Sequence, residues 1–237
     1  MHLGRRFMER LILFDIDGTL TRIENGYLPF NEAILQTFGI VGDIRSVVPD
    51  GNTDPLIVKD IFTKVNVDIE IGADRWQQFT ANLRASYRQH VERGETTVRA
   101  LPGAVELLKA LSVNVAFISS VVTGNFEATA EVKLEAAGLL NYLFRGGYAS
   151  DSEHRPDLPA IAKRRCEVLA GQTIASDHCV IVGDTPKDLA AARDNGMKCL
   201  LVGTGRYPIE ELLYWQPDGC LADLSDTNAV LTTLANL

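Results

Sequence analysis

Four short, largely apolar runs, at residues 11–14, 115–122, 179–182 and 198–202, punctuate this 237-residue chain, and segments of helical periodicity lie between the later ones. A strand that is apolar at consecutive positions is covered on both faces, which is the situation of a parallel sheet flanked by helices. After Val122 the alternation is regular, with helices expected at about 125–137, 158–170, 187–195 and 209–215, so this part of the chain reads as successive βα units. The stretch from 21 to 97 breaks the pattern. Trp76, Phe79, Leu83, Tyr87 and Val91 step by three or four residues and so share one face of a long helix. Thr53-Asp54-Pro55 ahead of residues 56–65 reads as a helix start, with a capping side chain and an early proline. The expected fold class is therefore α/β, a doubly wound, Rossmann-like parallel sheet with a helical domain inserted after its first strand. Residues 9–20 and 98–237 would form the sheet domain and 21–97 the insertion, with Leu101-Pro102-Gly103 as the re-entry point.

Composition narrows the functional classes. Hydrophobic residues make up 46% of the chain and charged residues 23%, enough apolar material for a real core. Lys and Arg number 23 against 31 Asp and Glu, and a net charge of -8 argues against nucleic acid or an anionic membrane surface as partner. No run reaches the length of a membrane span, and the apolar run behind the basic N-terminus stops at Asp15, too soon for a signal-peptide core, so a cytoplasmic location is expected. Cys166, Cys179, Cys199 and Cys220 are widely spaced with no CxxC pair, which suits reduced, buried thiols better than zinc. His2, His90, His154 and His178 show no paired spacing, and none is assigned to catalysis.

The chemistry-bearing residues gather at the ends of the apolar runs. Asp15-Ile16-Asp17-Gly18-Thr19 follows the first run directly, so two carboxylates project from the carboxyl end of a buried strand, where open α/β sheets bind ligands. Acids so close repel one another unless a divalent cation or a shared proton compensates; the alternative is a plain turn leading into Gly18. Gly183-Asp184-Thr185-Pro186-Lys187-Asp188 repeats the arrangement after a second strand. Thr185, Pro186 and Asp188 there also resemble a helix start with a capping box, which leaves Asp184 unaccounted for. Thr123-Gly124-Asn125 ends a third strand and offers a hydroxyl and backbone N–H groups to a phosphate oxygen, or else an ordinary helix cap at Thr123.

Taken together, strands ending in DxDGT, in Thr123 and in GDTPKD, in that order, resemble the haloacid dehalogenase superfamily of hydrolases. Gly51-Asn52-Thr53-Asp54, Leu101-Pro102-Gly103 and Val122-Thr123-Gly124-Asn125 are similar to the phosphoglycolate-phosphatase-like members. The resemblance implies a helical cap over the site and a Mg2+-dependent phosphatase acting on a small phosphorylated metabolite. It implies Asp15 as nucleophile, Asp17 as general acid and base, and Mg2+ held by Asp15, the main-chain carbonyl of Asp17 and Asp184, with Asp188 in support. Gly18, Thr123, Gly124 and Asn125 would serve the phosphoryl group, and Thr53 and Asp54 of the insertion the substrate. Arg155 stands where the family usually carries a lysine before proline and would neutralise the phosphoryl charge; Lys133, which reads as part of an exposed helix face, is the rival. A phosphomutase keeps the same acids. A haloacid hydrolase has little use for Asp17, and a phosphonate hydrolase needs a cap lysine, for which Lys59 and Lys64 have no diagnostic setting. Outside catalysis, a phospho-acceptor domain of the receiver type would not need so long a chain, and a silent binding protein would not need both Asp15 and Asp17.

Overall fold

The structure, a computed structural model, describes residues 10–237, so His2 and the expected domain start at residue 9 lie outside the described residues. The chain opens with β1 (Arg10–Phe14), passes through β2 (Thr21–Glu24), α1 (Tyr27–Phe38), α2 (Asp54–Lys64), α3 (Ala73–Glu92) and β3 (Thr97–Ala100), and then alternates. The alternating part comprises α4 (Ala104–Val113), β4 (Phe117–Thr123), α5 (Glu127–Ala136), β5 (Phe144–Tyr148), α6 (Leu158–Ala170), β6 (Cys179–Gly183), α7 (Pro186–Asp194), β7 (Lys198–Val202), α8 (Ile209–Tyr214), β8 (Gly219–Leu221) and α9 (Thr227–Asn236).

Six strands form one sheet in the order β5-β4-β1-β6-β7-β8, every neighbouring pair parallel. Because side chains alternate along a strand, Ile12 and Phe14 of β1 enter the core beneath α4 and α9, whereas Leu11 and Leu13 enter the opposite core with Leu158 and Leu189 of α6 and α7. Val180 and Val182 against Cys179 and Ile181 repeat the split on β6. Both faces being buried is why these strands read as unbroken apolar runs. The thiols of Cys166, Cys179 and Cys199 are buried there, and Cys220 is partly exposed. Two strands have no such signature. β8 lies at one edge, and β5, with sequence Phe-Arg-Gly-Gly-Tyr, lies at the other.

Between β1 and α4 the chain leaves and returns through β2 and β3, which pair antiparallel from Thr21↔Ala100 to Glu24↔Thr97. The helices between them build a core of their own, in which Phe79, Leu83 and Tyr87 of α3 are buried as their spacing predicts. Phe79 meets Phe30 edge-on at a centroid distance of 5.7 Å. Phe126, Val132 and Ala149 of the sheet domain complete this cluster, so the insertion rests on α5 through apolar surface. At the start of α2 the proline sits as expected, but the Thr53 hydroxyl makes no cap. It donates instead to the carbonyl of Glu153 at 2.7 Å, tying the insertion to the loop before α6. Among the described residues no helix is long and apolar enough to cross a membrane.

Candidate active site

Parallel strands end side by side, and the three central ones deliver the charged residues. Asp15 follows β1 and donates its backbone N–H to the carbonyl of Val182 on β6 at 2.9 Å; Thr123 is the last residue of β4; Asp184 follows β6. Gly18 takes a φ of +86°, and a Cβ there would run into the Asp184 carboxylate, so glycine lets the turn fold back over the site. Thr19 Oγ1 then donates to Asp184 Oδ1 at 3.0 Å.

Two groups of side chains result. In the first, carboxylate oxygens of Asp15, Asp184 and Asp188 lie within 4.8 Å of one another, all three residues buried. Arg155 is inserted among them, its Nη2 2.5 Å from Asp188 Oδ1 and 3.3 Å from Asp15 Oδ1. Asp188 also receives the Thr185 N–H at 3.1 Å and the Thr185 hydroxyl at 2.8 Å on its other oxygen, so it holds the start of α7 as well as Arg155. Burial pushes Asp15 up to about 7 despite the opposing pull of Arg155, with Asp188 and Asp17 adding repulsion. Burial, then the charges of Asp15 and Asp188, push Asp184 up to about 9. Three carboxylates facing one guanidinium are short of positive charge, and converging hard oxygen donors suit a divalent cation. The donor set therefore fits a metal ion, with Asp15 and Asp184 open to the cavity and Asp188 behind them.

The second group surrounds Asp17. Its Oδ2 accepts from Asn125 Nδ2 at 2.9 Å and from Lys133 Nζ at 2.6 Å, while Lys133 also donates to Asn125 Oδ1 at 2.5 Å. Asn125 donates further to Thr123 Oγ1 at 2.8 Å. Lys133 does not occupy the exposed face that its sequence suggests; it is buried, with Nζ 5.2 Å from the Tyr87 ring centre. The reason is tertiary, since this face of α5 is roofed by α3. Burial opposes its charge, but Asp17, Tyr87 and Asp54 outweigh burial and raise the ammonium above its ordinary range. Asp17 Oδ1 and Arg155 Nε are buried with no hydrogen-bond partner, so each group holds one unengaged polar atom. Thr123 is not the cap of α5, which begins four residues further on at Glu127, behind Phe126.

The insertion reaches this edge through residues 50–54. Asp54 N–H donates to the carbonyl of Gly124 at 2.7 Å, and Asp54 Oδ2 accepts the Phe126 N–H at 2.8 Å. A Cβ on Gly124 would strike the carbonyl oxygen of Asn52, so this close approach requires glycine. Burial pushes the Asp54 carboxyl up to about 6, against Lys133 and the Phe126 N–H, which pull it down. Between insertion and sheet lies a cavity of about 500 Å3. Asp15, Asp17, Thr123, Gly124, Asn125, Arg155, Asp184 and Asp54 line it together. Gly18, Thr53 and Asp188, also singled out from the sequence, stand behind that lining. Tyr27, Arg45, Tyr87 and Thr185 line it too; Tyr87 reads from sequence only as part of a helix's apolar face and Thr185 only as a helix start, and nothing in the local sequence separates Tyr27 and Arg45 from ordinary turn or helix residues.

The chain is similar to known proteins in sequence and in fold. The sequence pattern of the haloacid dehalogenase-like hydrolases matches residues 9–196. The chain is 24% identical over 233 residues to the probable phosphatase IndB of Dickeya dadantii, covering 97% of this chain and 96% of that one. It is 27% identical over 226 residues to a 5'-nucleotidase of Pseudomonas aeruginosa, covering 93% and 94% respectively. The crystal structure of a predicted phosphoglycolate phosphatase from Haemophilus somnus superposes with a TM-score of 0.66 at 20% identity, covering 95% of this chain and 99% of that one. With a family match over residues 9–196, most of its length, the chain belongs to the haloacid dehalogenase-like hydrolases.

Proposed function

We propose that the protein is a Mg2+-dependent phosphatase that hydrolyses a small phosphorylated metabolite through an aspartyl-phosphate on Asp15. The observation that carries this reading is the separation of two neighbouring acids into different environments. Asp15 sits in the carboxylate cluster beside Arg155, and Asp17 sits on Lys133 and Asn125. One carboxylate is thereby suited to attack and the other to proton transfer. The named relatives, a probable phosphatase and a 5'-nucleotidase, support the reading.

In the first half-reaction an Asp15 oxygen attacks phosphorus, the ester bond breaks, and Asp17 gives a proton to the departing alkoxide. In the second, Asp17 takes a proton from water as the water oxygen attacks the same phosphorus; phosphate leaves and the Asp15 carboxylate is restored. The Thr123 hydroxyl and the Gly124 N–H bind phosphoryl oxygens. Arg155, 3.3 Å from Asp15, neutralises charge on the transferring group. Asp15, Asp184 and the main-chain carbonyl of Asp17 would hold Mg2+, supported by Asp188, and the bound ion supplies positive charge against the repulsion between a phosphate dianion and Asp15. Residues 21–97 act as a cap that excludes water and admits the substrate.

The test is phosphate release from a panel of phosphomonoesters, with Mg2+ and with chelator, using wild type and Asp15→Asn. Release that requires both Mg2+ and Asp15 is expected. Undiminished release from Asp15→Asn contradicts the proposal.

A further inference from the structure

The cavity above Asp15, about 500 Å3 in volume, is larger than a two- or three-carbon ester fills and falls within the roughly 300–1,000 Å3 of pockets that enclose drug-sized ligands. Its floor is the charged site, and its roof comes from the insertion. Phe30, Leu83 and Tyr87 give that roof a buried apolar centre. The roof's polar groups are largely engaged on the protein itself. Tyr87 donates its hydroxyl to the Gly26 carbonyl at 3.3 Å, and Asn25 Nδ2 donates to the Glu95 carbonyl at 3.1 Å. Asn52 Nδ2 donates to the Val48 carbonyl at 3.1 Å, and its Oδ1 accepts from Lys187.

At the rim, the Arg45 guanidinium carbon lies over the Tyr27 ring, 4.0 Å from its centre. Asp43 fixes the guanidinium there with both carboxylate oxygens, at 3.0 Å from Nε and 2.7 Å from Nη2. The charge of Arg45 thus has its counter-ion already, while the side chain remains 61% exposed and keeps surface free for a ligand.

We propose that the Tyr27–Arg45 pair sets the specificity of this site, and that the leaving group carries a planar ring system of nucleobase type that stacks on the pair while its phosphate meets Asp15. The proposal rests on the phosphatase reading for which end of the ligand faces the floor. Guanidinium and phenol faces both stack on planar π systems, a preference that tolerates different bases. A carboxylate-bearing ester such as phosphoglycolate gains little from an arginine that is already neutralised. A bare sugar phosphate leaves the apolar roof uncovered and brings hydroxyls to roof donors and acceptors that are largely engaged on the protein.

Ribose 5-phosphate and the nucleoside 5'-monophosphates share the leaving oxygen and differ at the base, so comparing them isolates the roof. Adenosine or uridine 5'-monophosphate is expected to exceed ribose 5-phosphate and phosphoglycolate in kcat/KM by about tenfold or more. Tyr27→Ala should bring the ratio toward unity, and Tyr27→Phe, which keeps the ring, should retain it. Calorimetry on Asp15→Asn with Mg2+ reads the same preference without turnover, as roughly tenfold tighter binding of the nucleotide than of ribose 5-phosphate. Equal or better use of ribose 5-phosphate or phosphoglycolate, equal affinities in Asp15→Asn, or a ratio indifferent to Tyr27→Ala overturns the proposal. Nucleotide-selective binding with no phosphate release from any ester supports it and overturns the phosphatase reading alone.

Discussion

Replacing Lys133 with methionine keeps the aliphatic stem near Tyr87 and removes only the ammonium, which donates to Asp17 Oδ2 at 2.6 Å and to Asn125 Oδ1 at 2.5 Å. Asn125 Oδ1 then becomes a buried acceptor without its donor, which costs about 1–3 kcal/mol. Asp17 keeps Asn125 Nδ2 at 2.9 Å, and its side chain is 41% exposed, so water compensates much of the lost ion pair and adds little to that cost. For a chain of this size the melting temperature should fall by roughly 2–4 °C per kcal/mol. The catalytic loss comes from orientation. Acid–base work of the kind assigned to Asp17 contributes about 10²–10⁴-fold, and a carboxylate held by Asn125 alone should lose on the order of 10–100-fold of it. The loss should be larger for an alkyl phosphate than for p-nitrophenyl phosphate, whose leaving group needs no proton. Calorimetric melting, together with kcat on the two esters, is the assay. Equal losses on both esters, or an unchanged kcat in a protein that melts lower, would show that Lys133 supports the fold and not Asp17.

Further predictions follow from the contacts between insertion and sheet and from the carboxylate cluster. The Asp54 carboxyl, at about 6 against an ordinary 3.8, favours folding while neutral. That contribution is complete below about pH 4, is lost as pH rises through about 6, and amounts to roughly 3 kcal/mol. Asp54→Asn keeps an acceptor for the Phe126 N–H, so its denaturant midpoint should gain on wild type as pH rises from about 4 to 7; a difference that does not vary with pH contradicts this. Gly124→Ala forces a methyl against the Asn52 carbonyl oxygen and should cost about 1–3 kcal/mol while raising KM, because the insertion no longer seats on residues 123–125. A thermal shift without any rise in KM would detach that contact from substrate binding. Mg2+ should raise the melting temperature of wild type by mass action and do so far less in Asp184→Asn; equal shifts in both would place the ion elsewhere.

The sheet and the positions of the acids were legible because they depend on local pattern. Leu11 to Phe14 and Cys179 to Val182 are apolar at every position, so each strand's end, and hence Asp15 and Asp184, could be located from sequence. Asp188 was legible as a helix-start acid for the same reason, and its carboxylate does accept from Thr185. What escaped depends on partners distant in the chain. The Thr53 hydroxyl finds Glu153 across 100 residues, and Asp54 finds Phe126 across 72, so a helix-start pattern hides two fastenings between insertion and sheet. Lys133 gives no local sign of burial, because what covers it is α3 and what holds it is Asp17. β5 escaped because its two glycines and arginine leave no apolar run, a composition tolerated at a sheet edge.

The proposed mechanism turns on the covalent bond to Asp15. Asp17→Asn protein, in which release of the phosphoryl group should be slow, would be mixed with a phosphomonoester and Mg2+, quenched in acid, reduced with borohydride and digested for mass spectrometry. The peptide containing Asp15 should carry the reduced acyl-phosphate site, and Asp15→Asn/Asp17→Asn should carry none. Unmodified Asp15 in a variant that still releases phosphate would contradict it, because the phosphoryl group would then pass to water without stopping on the protein.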